Sequence, residues 1–530
     1  MVDESPRHPP LPVAGSPGEP ESPVEQVVRK TPWWAISFGL HAVGALILGW
    51  MIVLTPPPAE AGPFIVKLPP QPATPTVIVE DDDPHPDIPI PVPDKANEPL
   101  FSMEHDLRNE SKDFEPDRKL KGDVDALADN PFKGKGNIDV IGPGRTGGGR
   151  KGGPLGGRDD LRKGGRRGNT PKTNEAVFSA LLWLARHQNP DGSWGVQSHL
   201  SRCKGEGCSP NPPSASADFD PGVTGLSVLA FLGAGYSHLS QDVYGGIRFG
   251  DVVRKGLQWM TGHQDIDGFI GSRAAHKAMY NHAICTLALC EGYGLTFSDI
   301  FKENAQRALD CLVASQNPGK GWRYAPRCGD SDTSVTGWAV MALKSAEISG
   351  LGFPRSAYDG TRAWLNEVTE ESYGRAGYTF RGTGKVFCAH NESFDHQEAL
   401  TAIAVMARIF IDRNPSDANV RNGAHLLMRD LPAWSGPKID FYAWYYEALA
   451  LFQFDGPTGP LWSKWNRSMV EALVKPQNPP SSGCKHGSWE PVDRWSCEGG
   501  RVYATAINAL TLEVYYRYDR VFTGKDRKEM

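Results

Sequence analysis

Trp183-Leu184-Ala185-Arg186-His187-Gln188-Asn189-Pro190-Asp191-Gly192-Ser193-Trp194 is followed along the chain by two stretches built on the same plan. One is Trp259-Met260-Thr261-Gly262-His263-Gln264-Asp265-Ile266-Asp267-Gly268-Phe269. The other is Cys311-Leu312-Val313-Ala314-Ser315-Gln316-Asn317-Pro318-Gly319-Lys320-Gly321-Trp322. A looser fourth copy runs from Gln477-Asn478-Pro479 to Gly487-Ser488-Trp489. Each copy reads as an amphipathic helix stopped by a Pro- or Gly-bearing turn, the residues that helix C-termini prefer. The Gln is placed to hydrogen-bond backbone groups freed at the helix end, and the aromatic to fold back over the turn. Self-similarity of this kind marks a repeat architecture.

Between the copies lie segments of a second type, apolar on nearly all sides and therefore read as buried helices. They are 223–232, 280–289, 335–343, 400–410, 442–452 and 503–515. More charged helices precede them, near 174–187, 252–263, 303–315, 360–367, 418–429 and 462–474. The alternation gives six outer and six inner helices, an all-α ring, and no βαβ pattern competes. The four copies resemble the QW motif of the squalene and oxidosqualene cyclases, shared in looser form with the protein prenyltransferases. That resemblance implies an α/α toroid over residues 172–520. The motif itself is structural and assigns no catalysis.

Composition confines the core to this region. The 58 Gly and 44 Pro concentrate before residue 172, whereas most of the 15 Trp follow it. The formal net charge of −6 argues against a dedicated nucleic-acid binder. After an arm at 1–32, residues 33–54 form an uncharged apolar run about as long as a membrane-crossing helix. Arg29 and Lys30 precede it and no Lys or Arg follows until Lys67. The asymmetry places the N-terminus in the cytoplasm and the ring outside it, periplasmic in a bacterial inner-membrane protein. A cleaved signal peptide fits less well, since the run is long and lacks a small-x-small cleavage site. Residues 55–171 read as a disordered linker, Pro-rich and then Gly-rich and basic, with a short tail at 521–530. Ser37 and His41 lie four apart and share a face of the membrane helix. With the Pro-rich exterior they resemble TonB, which implies coupling to a proton-driven motor partner; a plain anchor is the other reading.

Residues at the starts of the inner helices are the candidates for a cavity site. They include Asp218 and Asp220, Tyr280 and His282, Asp330 and Asp332, Asp395 and His396, Tyr442, and Tyr503. Helix capping accounts for one Asp per helix. It does not account for His282 and His396 at equivalent positions. Trp338, Tyr442, Trp444, Tyr445 and Tyr503 are candidates for holding a ligand or steadying a cation. The cyclase resemblance implies an Asp-rich acid motif, but Asp330-Ser331-Asp332-Thr333-Ser334 is one acid short. The prenyltransferase resemblance implies zinc on an Asp, a Cys and a His, but Ser334 stands where the thiolate belongs, and serine is a poor zinc ligand.

Cys203 with Cys208, and Cys484 with Cys497, are expected to form local disulfides in an oxidising compartment. Zinc on Cys484, His486 and Cys497 is the alternative, in the manner of the lanthionine cyclases. No other cofactor is expected. The leading functional expectation is a tethered toroid that binds a ligand, glycan or protein of the cell envelope. The alternative is a cyclase- or transferase-type enzyme acting on an isoprenoid-like substrate, and a further one is TonB-like energy coupling.

Overall fold

The computed structural model describes residues 169–517, apart from 204–206, 210, 212–214, 383–385, 388–392, 395–397 and 415, together with His41, Ala42 and Arg158. The chain divides into two units, Met1–Ala96 and Asn97–Met530. In the first, His41 and Ala42 are helical and exposed, and the rest of the expected membrane run lies outside the described residues. Among the described residues, no helix is long and apolar enough to cross a membrane.

The second unit holds the ring. Its outer helices are α1 (Pro171–Arg186), α3 (Phe249–Gly262), α5 (Asp299–Ala314), α7 (Ser356–Val368), α9 (Ala418–Leu426) and α11 (Pro460–Val474). Its inner helices are α2 (Asp220–Gly233), α4 (Ala278–Thr296), α6 (Thr333–Ile348), α8 (Glu398–Asp412), α10 (Phe441–Asp455) and α12 (Ser496–Leu512), followed by a final turn, α13 (Val514–Arg517). Each inner helix packs on the next in sequence, and α12 packs back on α2. The ring therefore closes as an α/α toroid. Only two short hairpins, Val243–Tyr244 with Ile247–Arg248 and Val386–Phe387 with Ser393–Phe394, interrupt the helical pattern among the described residues.

Two classes of helix arise because the two rings meet different surroundings. In α4 nearly every side chain is buried, whereas α5 keeps one apolar stripe built on Phe301, Ala305, Ala308 and Leu312. Thr170 caps α1 through a capping box with Thr173, and Asp332 and Asp440 cap α6 and α10.

The repeated Gln is the joint between neighbouring pairs. Gln188 donates Nε2 to the carbonyls of Gly192, in its own turn, and Val252, on α3, both at 2.9 Å. Gln264 does the same to Gly268 and Asn304, and Gln316 to Lys320 and Ala357. The aromatic completes the turn: the indoles of Trp194, Trp322 and Trp489 donate to the carbonyls of Leu184, Leu312 and Leu473 at 2.8, 2.7 and 2.8 Å. Gly192, Gly268 and Gly487 share a left-handed φ of 98°, 96° and 91°. A Cβ there would run into the backbone carbonyls of Lys255, Arg307 and Ser179 on the adjacent outer helices, so only glycine lets turn and helix approach.

Arg158, assigned by composition to the disordered segment, is fully buried against the ring. It donates Nη1 to the Leu232 carbonyl at 2.9 Å and to Glu291 Oε2 at 2.7 Å, while Arg517 donates to Glu291 Oε1 at 2.8 Å. Glu291 thus carries a buried guanidinium on each oxygen, and those charges hold its carboxyl below the usual range against burial, which acts to raise it.

Candidate ligand cavity and a histidine–cysteine cluster

The starts of all six inner helices meet at one end of the ring around a cavity of about 140 Å³. Its wall is largely aromatic. Tyr280 comes from α4, Trp338 from α6, Tyr442 from α10, and Trp495 and Tyr503 from the start of α12. Tyr324 and Tyr378 reach in from the turns that lead into α6 and α8, with Val223, Leu226 and Leu400 filling the gaps. Tyr445, fully buried, stacks on Trp338 at 5.5 Å. The cavity therefore occupies the end at which the inner helices start.

Asp332 sits behind this wall. It is fully buried; its Oδ1 accepts from the Val335 N–H at 2.8 Å and from Ser334 Oγ at 2.9 Å. Ser334 in turn is hydrogen-bonded to the Tyr280 hydroxyl, and both of those side chains face the cavity. Asp332 Oδ2 has no hydrogen-bond partner, and Arg323 Nε lies 3.9 Å away. Burial pushes the carboxyl up to about 6. At the rim, Lys277 pairs with Glu498 at 2.5 Å, and the Tyr324 and Tyr378 hydroxyls are hydrogen-bonded to each other.

Of the side chains expected to hold a ligand, Tyr280, Trp338, Tyr442 and Tyr503 line the cavity. Trp444 instead lines a separate polar cleft with Glu447, Arg375 and Arg494. Asp330 is exposed and paired with Arg323. Asp218 lies exposed in a 3-10 turn, where its carbonyl accepts from Asn281, and Asp220 accepts the Val196 N–H at 2.7 Å. His282 stacks on Phe269 at 4.5 Å, and its Nδ1 accepts the Ile270 N–H at 3.3 Å, so it organises the second repeat turn. Asp395, His396 and Ser37 lie outside the described residues. Tyr324 and Tyr378 were not expected, because they stand in loops and not on inner helices.

The cysteines are arranged differently from the expectation. Cys497 donates Sγ to the Arg494 carbonyl at 3.1 Å and does not meet Cys484. His486 stands outside the cluster: its carbonyl accepts from Arg186 Nη2 at 2.9 Å and its N–H donates to the Gly483 carbonyl at 3.1 Å. Cys484 instead faces His187 Nε2 at 3.3 Å, and Cys203 and Cys208 approach the same nitrogen at 3.7 and 3.8 Å. The three sulfurs are free thiols, and all four donor atoms lie within 4.8 Å of one another. The pairing fails because Cys497 is held in the first turn of α12, while the 480–485 turn carries Cys484 onto the end of α1. His187 was read only as a repeat residue; its signal was its place next to Gln188.

No family model matches the chain, and no curated protein matches it. Solved structures with a similar course include the alpha-1,6-mannanase of Salegentibacter, 9% identical, covering 64% of this chain and 98% of that one with a TM-score of 0.42. The type II terpene cyclase MstE from Scytonema is 14% identical, covering 64% and 97% with a TM-score of 0.41. An alpha-amylase from Clostridium perfringens is 10% identical, covering 65% and 98% with a TM-score of 0.40. Likenesses this distant assign no activity, and the closure of the ring rests on its own helix contacts.

Proposed function

We propose that the toroid is a binding module for a small, mainly apolar ligand of ring or prenyl character, held in the aromatic cup with one hydrogen-bonding end at Ser334 and Tyr280. The observation that carries this reading is the wall itself: aromatic and aliphatic side chains from all six inner helices around a few convergent polar groups. Glycan hydrolysis is disfavoured, because it calls for two carboxyl groups flanking the bond. Among the described residues the cavity wall offers Glu498 alone, and that group is neutralised by Lys277.

A second reading rests on the chain from Asp332 through Ser334 to Tyr280, which links a buried acid to the cavity. It would serve a cyclase-type protonation. Against it, an acid raised to about 6 is a weaker proton donor than an ordinary carboxyl. Binding without turnover is the better account.

The reading keeps the module outside a membrane on the tether expected from the 33–54 run, with Ser37 and His41 as the proposed contact to a motor partner. An unchanged phenotype of His41→Ala with normal insertion would remove that contact.

Titration of the full chain with geranylgeraniol, followed by tryptophan emission, tests the proposal. Saturable quenching that is lost in Val223→Trp, which fills the cavity, is the expected result. No saturable response to any apolar probe would sink it. Conversion of squalene or a prenyl substrate, abolished by Asp332→Asn, would favour the enzymatic reading.

A further inference from the structure

His187, Cys203, Cys208 and Cys484 come from three separate parts of the chain: the end of α1, the loop after the first repeat turn, and the turn before α12. Their convergence is built. The His187 ring stacks on Trp183 at 4.1 Å, and its Nδ1 meets the Trp183 carbonyl at 2.8 Å. That bond places the proton on Nδ1 and leaves the Nε2 lone pair facing the three sulfurs, the arrangement typical of a metal-bound imidazole. His263, at the matching position of the second repeat, has the same stacking at 4.0 Å and the same bond to Trp259 at 2.8 Å. The repeat thus supplies an oriented imidazole, and only at the seam do thiols gather around it.

We infer that these four side chains form a tetrahedral zinc site that fastens the last repeat turn to the first helix. With Zn–S about 2.3 Å and Zn–N about 2.0 Å, the edges of a Cys3His tetrahedron are about 3.5 Å for S···N and about 3.8 Å for S···S. The observed S···N distances of 3.3, 3.7 and 3.8 Å bracket the first edge, and the sulfurs lie within 4.8 Å of one another, so small side-chain shifts complete the shell. The Cys208 N–H donates to Cys203 Sγ at 3.4 Å, as backbone groups do toward metal-bound thiolates. Three thiolates on a divalent ion leave one net negative charge. The fully buried Arg501, anchored to Ser488, Trp489 and Glu490 on the same seam, contributes a positive field there. Four protein ligands complete the shell and leave no open position, so the site is structural. It is independent of the cavity.

The test uses the full chain purified under reducing conditions from zinc-supplemented medium. Metal analysis is expected to give about one zinc per chain. That zinc is released when an organomercurial titrates the thiols. Cobalt substitution is expected to give the intense visible bands of a tetrahedral thiolate centre. Cys484→Ser loses most of the metal, whereas Cys328→Ser and Cys497→Ser retain it. Should Cys484→Ser not fold, the wild-type measurements still decide. Less than about half an equivalent of zinc, or a Cys203–Cys208 disulfide in chain alkylated at lysis before any reductant is added, overturns the site.

Discussion

Gln477 donates its Nε2 to the carbonyl of Ala176, 301 residues earlier in the chain, at 2.8 Å. The same nitrogen reaches Gly487 in its own turn, also at 2.8 Å. This is the bond pattern of Gln188, Gln264 and Gln316, with one difference: its partner helix is the first and not the next. Closure of the ring is therefore made by the device that joins its interior pairs.

Gln477→Ala is expected to cost about 1–3 kcal/mol, since two carbonyls lose their donor. Gln264→Ala removes the equivalent pair inside the ring and should cost a comparable amount. Denaturant unfolding of both variants checks this; a silent Gln477→Ala would mean that the seam is held by other contacts.

Arg158→Ala leaves Glu291 buried with one cation where it had two. A loss of about 1–3 kcal/mol is expected, because one oxygen of a buried carboxylate loses its charged donor while Arg517 still pairs with the other. Adding Glu291→Gln to that variant should cost more, because the buried Arg517 then loses the Glu291 carboxylate. A variant as stable as the wild type would show that Arg158 does not dock on the ring.

Tyr503 carries a hydroxyl with no hydrogen-bond partner at the cavity wall. Tyr503→Phe should change stability by less than about 0.5 kcal/mol, because no internal bond is lost. If that hydroxyl meets the ligand, affinity falls severalfold in the same variant. Parallel unfolding and titration curves separate the two effects.

Stability is expected to pass through a maximum with pH. Burial pushes the Glu447 carboxyl from its ordinary 4.5 up to about 8, with Asp440, Glu398 and Asp430 adding in the same direction. The folded chain keeps a proton that the unfolded chain has released, so stability declines as pH rises through this window. The slope for one such group is at most ~1.4 kcal/mol per pH unit. Burial holds His282 down to about 3 against an ordinary 6.5, so stability also declines as pH falls below 6.5. Melting temperatures across this range test both limbs, and Glu447→Gln should flatten the alkaline one.

The ring was legible because period and punctuation are local. The Gln of each repeat, its Pro or Gly turn and its aromatic could be read in one window, and the inner helices announced themselves by lacking a polar face. The cup was half legible: Tyr280, Trp338, Tyr442 and Tyr503 follow from their place on inner helices, but Tyr324 and Tyr378 depend on how two connecting turns fold. Cys484 lies 297 positions from His187, and sequence proximity favoured Cys497 and His486 instead. Arg158 was hidden by its neighbours, since composition averages over a glycine-rich segment and cannot single out one buried side chain.

The guanidinium of Arg158 reaches the ring where α2 and α4 finish, whereas the aromatic cup lies where they start. Inner helices of this length separate those ends by roughly 20 Å. Arg158 is thus moored on the floor of the barrel, and the mouth faces the other way. A force applied to the chain at Arg158 would load the Glu291 clamp and leave the rim of the cup unobstructed.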